Sequence, residues 1–519
     1  MDNSRRTVLV LALFLLLAVF AVFSAHFDYA LPFHIDSMEH LFYAEQIAAE
    51  KSVSALVGDD WELGYHLLLS LLLTITGLSA LQLGLVFPVF SGFLMALLTF
   101  VLVKSLAKSN LAALLSAVLS LAMSSTVGVL GPMFLVPMAL GIALLPASLW
   151  FFAKGIDSKK HALLLAVLLV QQTLIHPAYS LMLLVVFAVF LVVNFRILLR
   201  NQVKVVIAII LLFVLLPFFA QRFLEIKSLS YSPQNFQEIF DAIGTKLSWT
   251  SIQEWKSQLF FVEFLKEPLF IASLFGLGLV CSAALMRISK KFRETFGFLF
   301  KNPQIVLLCF FFIALLPFYM QFNLTGSVFL LPYERFFMAM YYALLVLAGI
   351  GIFSIIVLFS RAMGFVGSKT TAAATKALVF FVLVFLVFEI ATQPFEFQKT
   401  FYKTFERENV PVVYWLEQNA SKQDIVVALP WHSSAIAALT PARAAIKPTV
   451  KMKLDPQERL AEAIANQKAN AFFSENCKQR KTIVEELKAN AVATTVELDC
   501  DFLNRVFDKQ GFFIFRVSD

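Results

Sequence analysis

Charge is scarce in this chain: 15% of its 519 residues are Asp, Glu, Lys or Arg, against 59% that are hydrophobic. A soluble globular domain carries about 25% charged residues, so that class is excluded. Cysteine is scarce as well. The four present are too few for a disulfide scaffold, and no CxxC or other zinc-ligand spacing occurs. Cys281 and Cys309 lie in apolar segments, which leaves Cys477 and Cys500 as the two that could pair. The net charge of +7 does not point to nucleic acid, because Lys and Arg sit mostly between hydrophobic segments, where they report membrane topology.

Long apolar runs are what the chain has in abundance. Mean hydropathy is +0.79, and runs of roughly 17–23 residues recur, the length that crosses ~30 Å of hydrocarbon at about 1.5 Å per residue. Met1–Arg6 followed by Val8–Phe23 has the outline of a signal peptide. Its apolar run exceeds the usual ~7–15 residues, so it reads as an uncleaved anchor. Placing short basic connections on the cytoplasmic side threads eleven spans: 7–25, 83–103, 111–130, 133–153, 161–176, 178–199, 203–220, 268–286, 304–320, 336–358 and 377–391. Arg5, Lys104, Lys154, Arg200, Lys290 and Lys376 then share the inner side, with the N-terminus inside and the C-terminus outside.

The segment GYHLLLSLLLTITG (64–77) is apolar but spans only 14 residues, and its His66, Ser70 and Thr74 form one polar stripe. Counting it as a span would move Lys104 and Lys108 outside, so it reads as an interfacial or re-entrant helix. The expected fold is an all-α polytopic membrane protein with a small extracytoplasmic α/β domain. The transmembrane domain covers 1–391, with outer loops at 26–82 and 221–267, and the soluble domain covers 392–519. Strand-like patterns at 425–431 and 512–517, with helical periodicity at 455–469 and 479–490, place that last domain in the α/β class. The sequons Asn323-Leu-Thr325 and Asn419-Ala-Ser421 both fall outside in this threading.

The acid/base-capable side chains concentrate in the first outer loop. Between His26 and His66 the chain carries Asp28, Asp36, Glu39, Glu45, Glu50, Asp59, Asp60 and Glu62 against one Lys51, with four of its seven histidines. Ionisable groups beside hydrocarbon are costly and mark functional sites by default. From Asp36 the pattern is helical, with Asp36, Glu39, Tyr43, Gln46 and Glu50 on one face and Met38, Leu41, Phe42 and Ile47 on another. Asp36 with Glu39 three residues on has the form of a capping box. An N-capping carboxylate is held ionised and oriented, which also describes a fixed base. His34, Asp36, Glu39 and His40 offer a metal-site alternative, yet no spacing such as HExxH is present. Asp59, Asp60 and Glu62 read as a solvated turn.

Outside this loop, Arg335 starts a span at the outer interface, where an arginine is less usual than inside. It can serve as a snorkelling anchor, as a partner of Glu334, or as a phosphate ligand. Arg222 is a parallel candidate, and His176 in LIHPAY is a turn residue with substrate binding as its alternative role. Trp249, Trp255 and Tyr231 fit an interfacial aromatic belt and would also suit a sugar face.

The layout resembles the GT-C superfamily of membrane glycosyltransferases, which includes protein O-mannosyltransferases, aminoarabinose transferases and oligosaccharyltransferase catalytic subunits. FHIDSMEHLFYAEQI matches its first-loop motif, followed by LGYHLLLSLLLTITGLSALQLGLVFPVFSGFLMALLTFVLVKSLAKS. LIHPAYS, LLPYERFFM and VVYWLEQNASKQDIVVALPWHSSAIAALTPAR add weaker likeness. The resemblance implies inverting transfer of a sugar from a polyprenyl-phosphate or -diphosphate carrier to a protein, lipid or glycan acceptor on the extracytoplasmic side. It implies Asp36 as the first-loop catalytic acid/base, with Glu39 assisting and His40 and His66 as substrate-binding helpers. Arg335, Tyr333, Arg222 and His176 would then contact the substrates. Some members carry a second acidic motif in the next outer loop, whereas V-G-V-L-G-P-M (127–133) here has no acid. A divalent metal is therefore disfavoured, and a metal-independent mechanism fits better. The competing readings are a transporter or flippase in which Asp36 and His66 relay protons, and a non-catalytic scaffold. Transport is weakened because most ionisable groups lie outside the spans.

Overall fold

The computed structural model describes, apart from isolated positions, residues 12–17, 19–27, 29–50, 62–121, 134–193, 305–325, 333–363, 403–445 and 467–518. In chain order the helices are α1 (Ile35–Glu50), α2 (Leu63–Thr76), α3 (Ala80–Ala107), α4 (Asn110–Leu121), α5 (Pro137–Gly155), α6 (Lys159–Ile175), α7 (Pro177–Val193), α8 (Val306–Thr325) and α9 (Tyr333–Met363). The C-terminal part adds α10 (Pro411–Asn419), α11 (Pro430–Leu439) and α12 (Cys477–Leu487) with strands β1 (Ile425–Val427), β2 (Arg443–Ala444), β3 (Ala491–Thr494), β4 (Leu503–Lys509) and β5 (Phe512–Val517). The protein is thus an all-α membrane protein with a small C-terminal β-sheet domain. Among the described residues, three helices are long and apolar enough to cross a membrane: Ala80–Ala107, Pro137–Gly155 and Met338–Ser360. The expected spans at 203–220 and 268–286 and the outer loop 221–267 lie outside the described residues, apart from Gly276 and Leu277.

The chain divides into two compact units. The first takes Met1–Val22, Val89–Met133 and Pro137–Gln393. Here helices meet through small residues, since lipid offers no hydrophobic driving force between them and close packing must supply the attraction. α4, which buries Ala112, Ala113, Ser116, Ala117 and Ser120, packs against α9. At the contact Ser116 Oγ donates to the Val346 carbonyl at 3.0 Å, and a Cβ on Gly349 would fall among Ser116 backbone and side-chain atoms. Only glycine permits that approach. Buried polar groups are matched in the same unit: Gln172 on α6 donates to the Gly141 carbonyl and accepts from Ser148 Oγ, at 3.0 and 2.9 Å. Phe152 and Phe187 stack with centroids 4.0 Å apart between α5 and α7.

The second unit joins Phe23–Pro88, Phe134–Val136 and Pro394–Asp519. Its sheet runs β2-β1-β3-β5-β4, with β1 parallel to both neighbours and β5 antiparallel to β3 and β4. Val427, Phe472, Val484, Val492 and Phe515 form the core between the sheet and α12. Cys477 and Cys500 are disulfide-bonded, the pairing that elimination left open. Arg516 and Asn490 both bond Asp424; although burial opposes the charge, these partners hold the Asp424 carboxyl down at about 2. Tyr29 and α1 of the same unit pack directly on this domain. α1 lies against α11, and the Phe405 N–H donates to Tyr29 Oη at 3.3 Å. Burial pushes the Tyr29 hydroxyl up to about 12.

Candidate functional site

α1 and α2 form a helical pair on which most of the expected site residues fall. α1 is amphipathic, as its sequence pattern requires, and buries Met38, Leu41 and Ala44 completely. Its start differs from the sequence expectation. His34 adopts φ 73°, a conformation uncommon outside glycine but enriched in His, Asn and Asp. The His34 ring is buried, and Nδ1 accepts the Asp36 backbone N–H at 3.1 Å. That bond, to the second residue of the helix, is an N-cap. The cap assigned to Asp36, with Glu39 reaching back, is therefore held by His34 instead. The helix begins before Asp36, at Ile35, which moves the Asp36 carboxylate off the capping position and into the first turn.

Two consequences follow. Burial lowers the His34 pKa, with Asp36 pulling weakly the other way, so the imidazole stays neutral and its Nδ1 stays an acceptor. The 3.6 Å approach of Asp36 Oδ2 to that nitrogen is then no ion pair. Asp36 itself is 49% exposed at its side chain and stands at the positive end of the helix, where an anion is favoured.

One turn further on, His40 and His66 are brought together. His40 Nδ1 and His66 Nε2 lie 2.8 Å apart, a hydrogen bond between residues 26 positions apart in sequence. The Tyr65 ring packs edge-on to His40 at 5.3 Å and the Tyr43 ring to His66 at 5.1 Å. His66 is buried at 3% exposure, while His40 is partly exposed. Tyr65 is fully buried, and its hydroxyl is pushed well above its usual range by that burial and by Glu62. Asp36, Glu39, His40 and Tyr43 occupy positions i, i+3, i+4 and i+7, one face of α1.

The remaining candidates fall elsewhere. Tyr333 and Arg335 stand in the first turn of α9, but their side chains lie outside the described residues, as does all of Arg222. His176 belongs to the first unit. It closes α6 through its backbone N–H to the Gln172 carbonyl, 2.7 Å, and its buried ring leans on Tyr179 at 4.6 Å. A Cβ on Gly141 would collide with that tyrosine, so His176 sits in a tight packing seam. The acidic turn around Asp59 and Asp60 is outside the described residues. No cluster of three or more His, Cys, Asp or Glu that could hold a metal ion occurs among the described residues.

Sequence reasoning did not single out Glu45 or His432. Burial pushes the Glu45 carboxyl up to about 7, with Lys422 of the C-terminal domain acting against the shift. His432 in α11 stacks on Phe405 at 4.5 Å and meets Phe512 at 5.2 Å. No spacing rule could have found either, because their neighbours come from remote parts of the chain.

No known family profile matches the chain, and no curated protein matches it in sequence. Solved structures do match in fold. The chain is similar to ArnT from Cupriavidus metallidurans bound to undecaprenyl phosphate, at 11% identity and TM-score 0.53, covering 99% of this chain and 98% of that one. It is similar to the same degree, TM-score 0.53 at 12% identity, to the Archaeoglobus fulgidus oligosaccharyltransferase tethered to an acceptor peptide containing the NVT sequon, covering 95% of this chain and 69% of that one. At these identities the likeness is one of fold.

Proposed function

We propose that this protein is a membrane glycosyltransferase that moves a sugar from a polyprenyl-phosphate carrier to an acceptor on the extracytoplasmic side, with inversion and without a metal. The observation that carries the reading is the end-to-end fold likeness to a structure bound to undecaprenyl phosphate, joined to an exposed carboxylate in the first turn of α1. In this reading Asp36 orients and deprotonates the acceptor hydroxyl, which requires an approach within about 3 Å in the reactive pose. Glu39 assists it. Arg335 is assigned to the carrier phosphate on sequence grounds, as the cation that stabilises charge developing on the leaving group. Tyr333, Arg222 and His176 are kept as substrate contacts on the same grounds.

The proposed topology has eleven spans, an inner N-terminus and an outer C-terminal domain. The Cys477–Cys500 disulfide supports the outer placement, since such bonds persist in oxidising compartments. The acid-free loop 127–133 supports transfer without a metal. The deciding assay incubates the full-length protein in proteoliposomes with radiolabelled polyprenyl-phosphate sugars, with and without EDTA, beside a vesicle uptake assay. The expected result is label moved to acceptor, insensitive to EDTA and abolished in Asp36→Asn while the variant remains folded. Wild-type turnover by that variant refutes the role of Asp36, and uptake without transfer favours a transporter.

A further inference from the structure

We propose that the His40–His66 pair is the proton sink of the outer-loop site, with His40 taking the proton and His66 acting as its positioning residue; the inference rests on the transferase reading above. A ring-to-ring hydrogen bond of 2.8 Å fixes the tautomers of both imidazoles together. When His40 Nδ1 donates to His66 Nε2, the lone pair of His40 resides on Nε2 and the His66 proton on Nδ1. His66 then does for His40 what an orienting acceptor does for any catalytic imidazole: it selects the tautomer and fixes the ring plane.

The asymmetry of burial decides which ring receives the charge. His66 is buried, whereas His40 is partly exposed and shares the Asp36 face of α1, so His40 is the ring that a proton from Asp36 reaches. The bond between the rings strengthens as His40 becomes a cation, because a charged donor bonds more tightly than a neutral one. Tyr65 and Tyr43, packed at 5.3 and 5.1 Å, hold the two rings against rotation. An apolar pair at these two positions would fill the α1–α2 joint with no polar atoms to satisfy, so packing alone does not call for two histidines.

The placement suits a proton delivered from Asp36. Asp36 and His40 are four residues apart on α1, about 6 Å along the axis and on one face. The acceptor hydroxyl gives its proton to the Asp36 carboxylate as its oxygen bonds the anomeric carbon, and the anomeric carbon–oxygen bond to the carrier phosphate breaks with its electron pair leaving on the phosphate. Asp36 passes the proton to His40 Nε2, and the partly exposed His40 releases it to water, which restores both groups for the next turnover.

The test measures kcat, KM and the rate–pH profile of transfer by the full-length protein in proteoliposomes with a radiolabelled polyprenyl-phosphate sugar. His40→Gln is expected to lose about 10²-fold in kcat with KM unchanged. His66→Phe is expected to lose a comparable factor and the acidic limb of the profile, and His66→Gln, which keeps a side-chain acceptor for His40, to recover most of the rate. If His66→Phe does not fold, the other two variants decide. Wild-type kcat and profile in His40→Gln, with Asp36→Asn inactive, overturn the proton-sink role and leave the transferase standing. Absence of transfer by the wild-type protein from lipid-phosphate sugars overturns both.

Discussion

Acid should loosen the second unit, and His432 makes the effect measurable one group at a time. Its ring is held between Phe405 and Phe512, and its buried Nδ1 meets no hydrogen-bond partner among the described residues. Burial holds the imidazole down at about 4 against an ordinary value of 6.5. As pH falls through 6.5 the unfolded chain takes up a proton that the folded chain refuses until about pH 4, so stability is lost across that window. Between pH 7 and pH 5 the loss is about 2 kcal/mol for this one group. His26 is held down to about 4 by burial as well, against its backbone hydrogen bonds to Tyr29 and Leu31, and contributes a similar loss. Glu45 works in the opposite direction. Its carboxyl, raised to about 7, is protonated in the folded chain while still ionised in the unfolded one, and acidification from pH 7 to 5 returns about 2 kcal/mol. The wild-type sum is therefore a partial cancellation, and the clean measurement is the variant His432→Phe. A phenyl ring keeps both stacking contacts and removes the titration. Melting of the detergent-solubilised full chain at the two pH values should show the variant losing less than wild type by about 2 kcal/mol, or roughly 4–8 °C for a unit of this size. Equal losses in the two proteins would refute the assignment of a buried, neutral His432.

Other perturbations follow from single contacts. Gly349→Ala places a methyl group on Ser116 backbone atoms and must force α4 and α9 apart; a loss of about 1–3 kcal/mol should appear as a lowered melting temperature. His34→Val loses both the cap and a side chain tolerant of positive φ, for about 1–2 kcal/mol. His34→Asn should recover most of that, because Asn caps and accepts the left-handed backbone. Cys477→Ser opens a link between residues 23 apart, worth about 3 kcal/mol by loop closure, and dithiothreitol should reproduce that loss in the wild type and leave the variant unchanged.

Much of the fold was legible in the sequence because membrane physics leaves few options. Apolar length and basic connections predict helices that the structure contains: α3, α5 and α9 cover the expected spans 83–103, 133–153 and 336–358 within a few residues. The strand at 512–517 and the helix 64–77 also appear where their periodicities point, the helix one residue earlier. The start of α1 was less legible. A capping-box pattern records which residues are able to cap, whereas the residue that does cap depends on where the backbone turns. His34 takes that role through a positive φ and a buried ring wedged against Phe134 at 5.8 Å, neither of which leaves a sequence signature.

By itself, then, the sequence determined that this chain lives in a membrane, that acid/base-capable side chains concentrate in the loop after the first apolar segment, and that Asp36 stands on the polar face of a helix there. Those properties are local or periodic, so composition and spacing carry them. Only the tertiary structure decided that His34 caps, that His40 and His66 share a hydrogen bond, and that Glu45 and His432 titrate far from their ordinary values. Each of those depends on a ring, a charge or an excluded water supplied by the folded backbone or by residues remote in the chain. Burial and distance are set by packing, and packing is not written in any window of neighbouring residues.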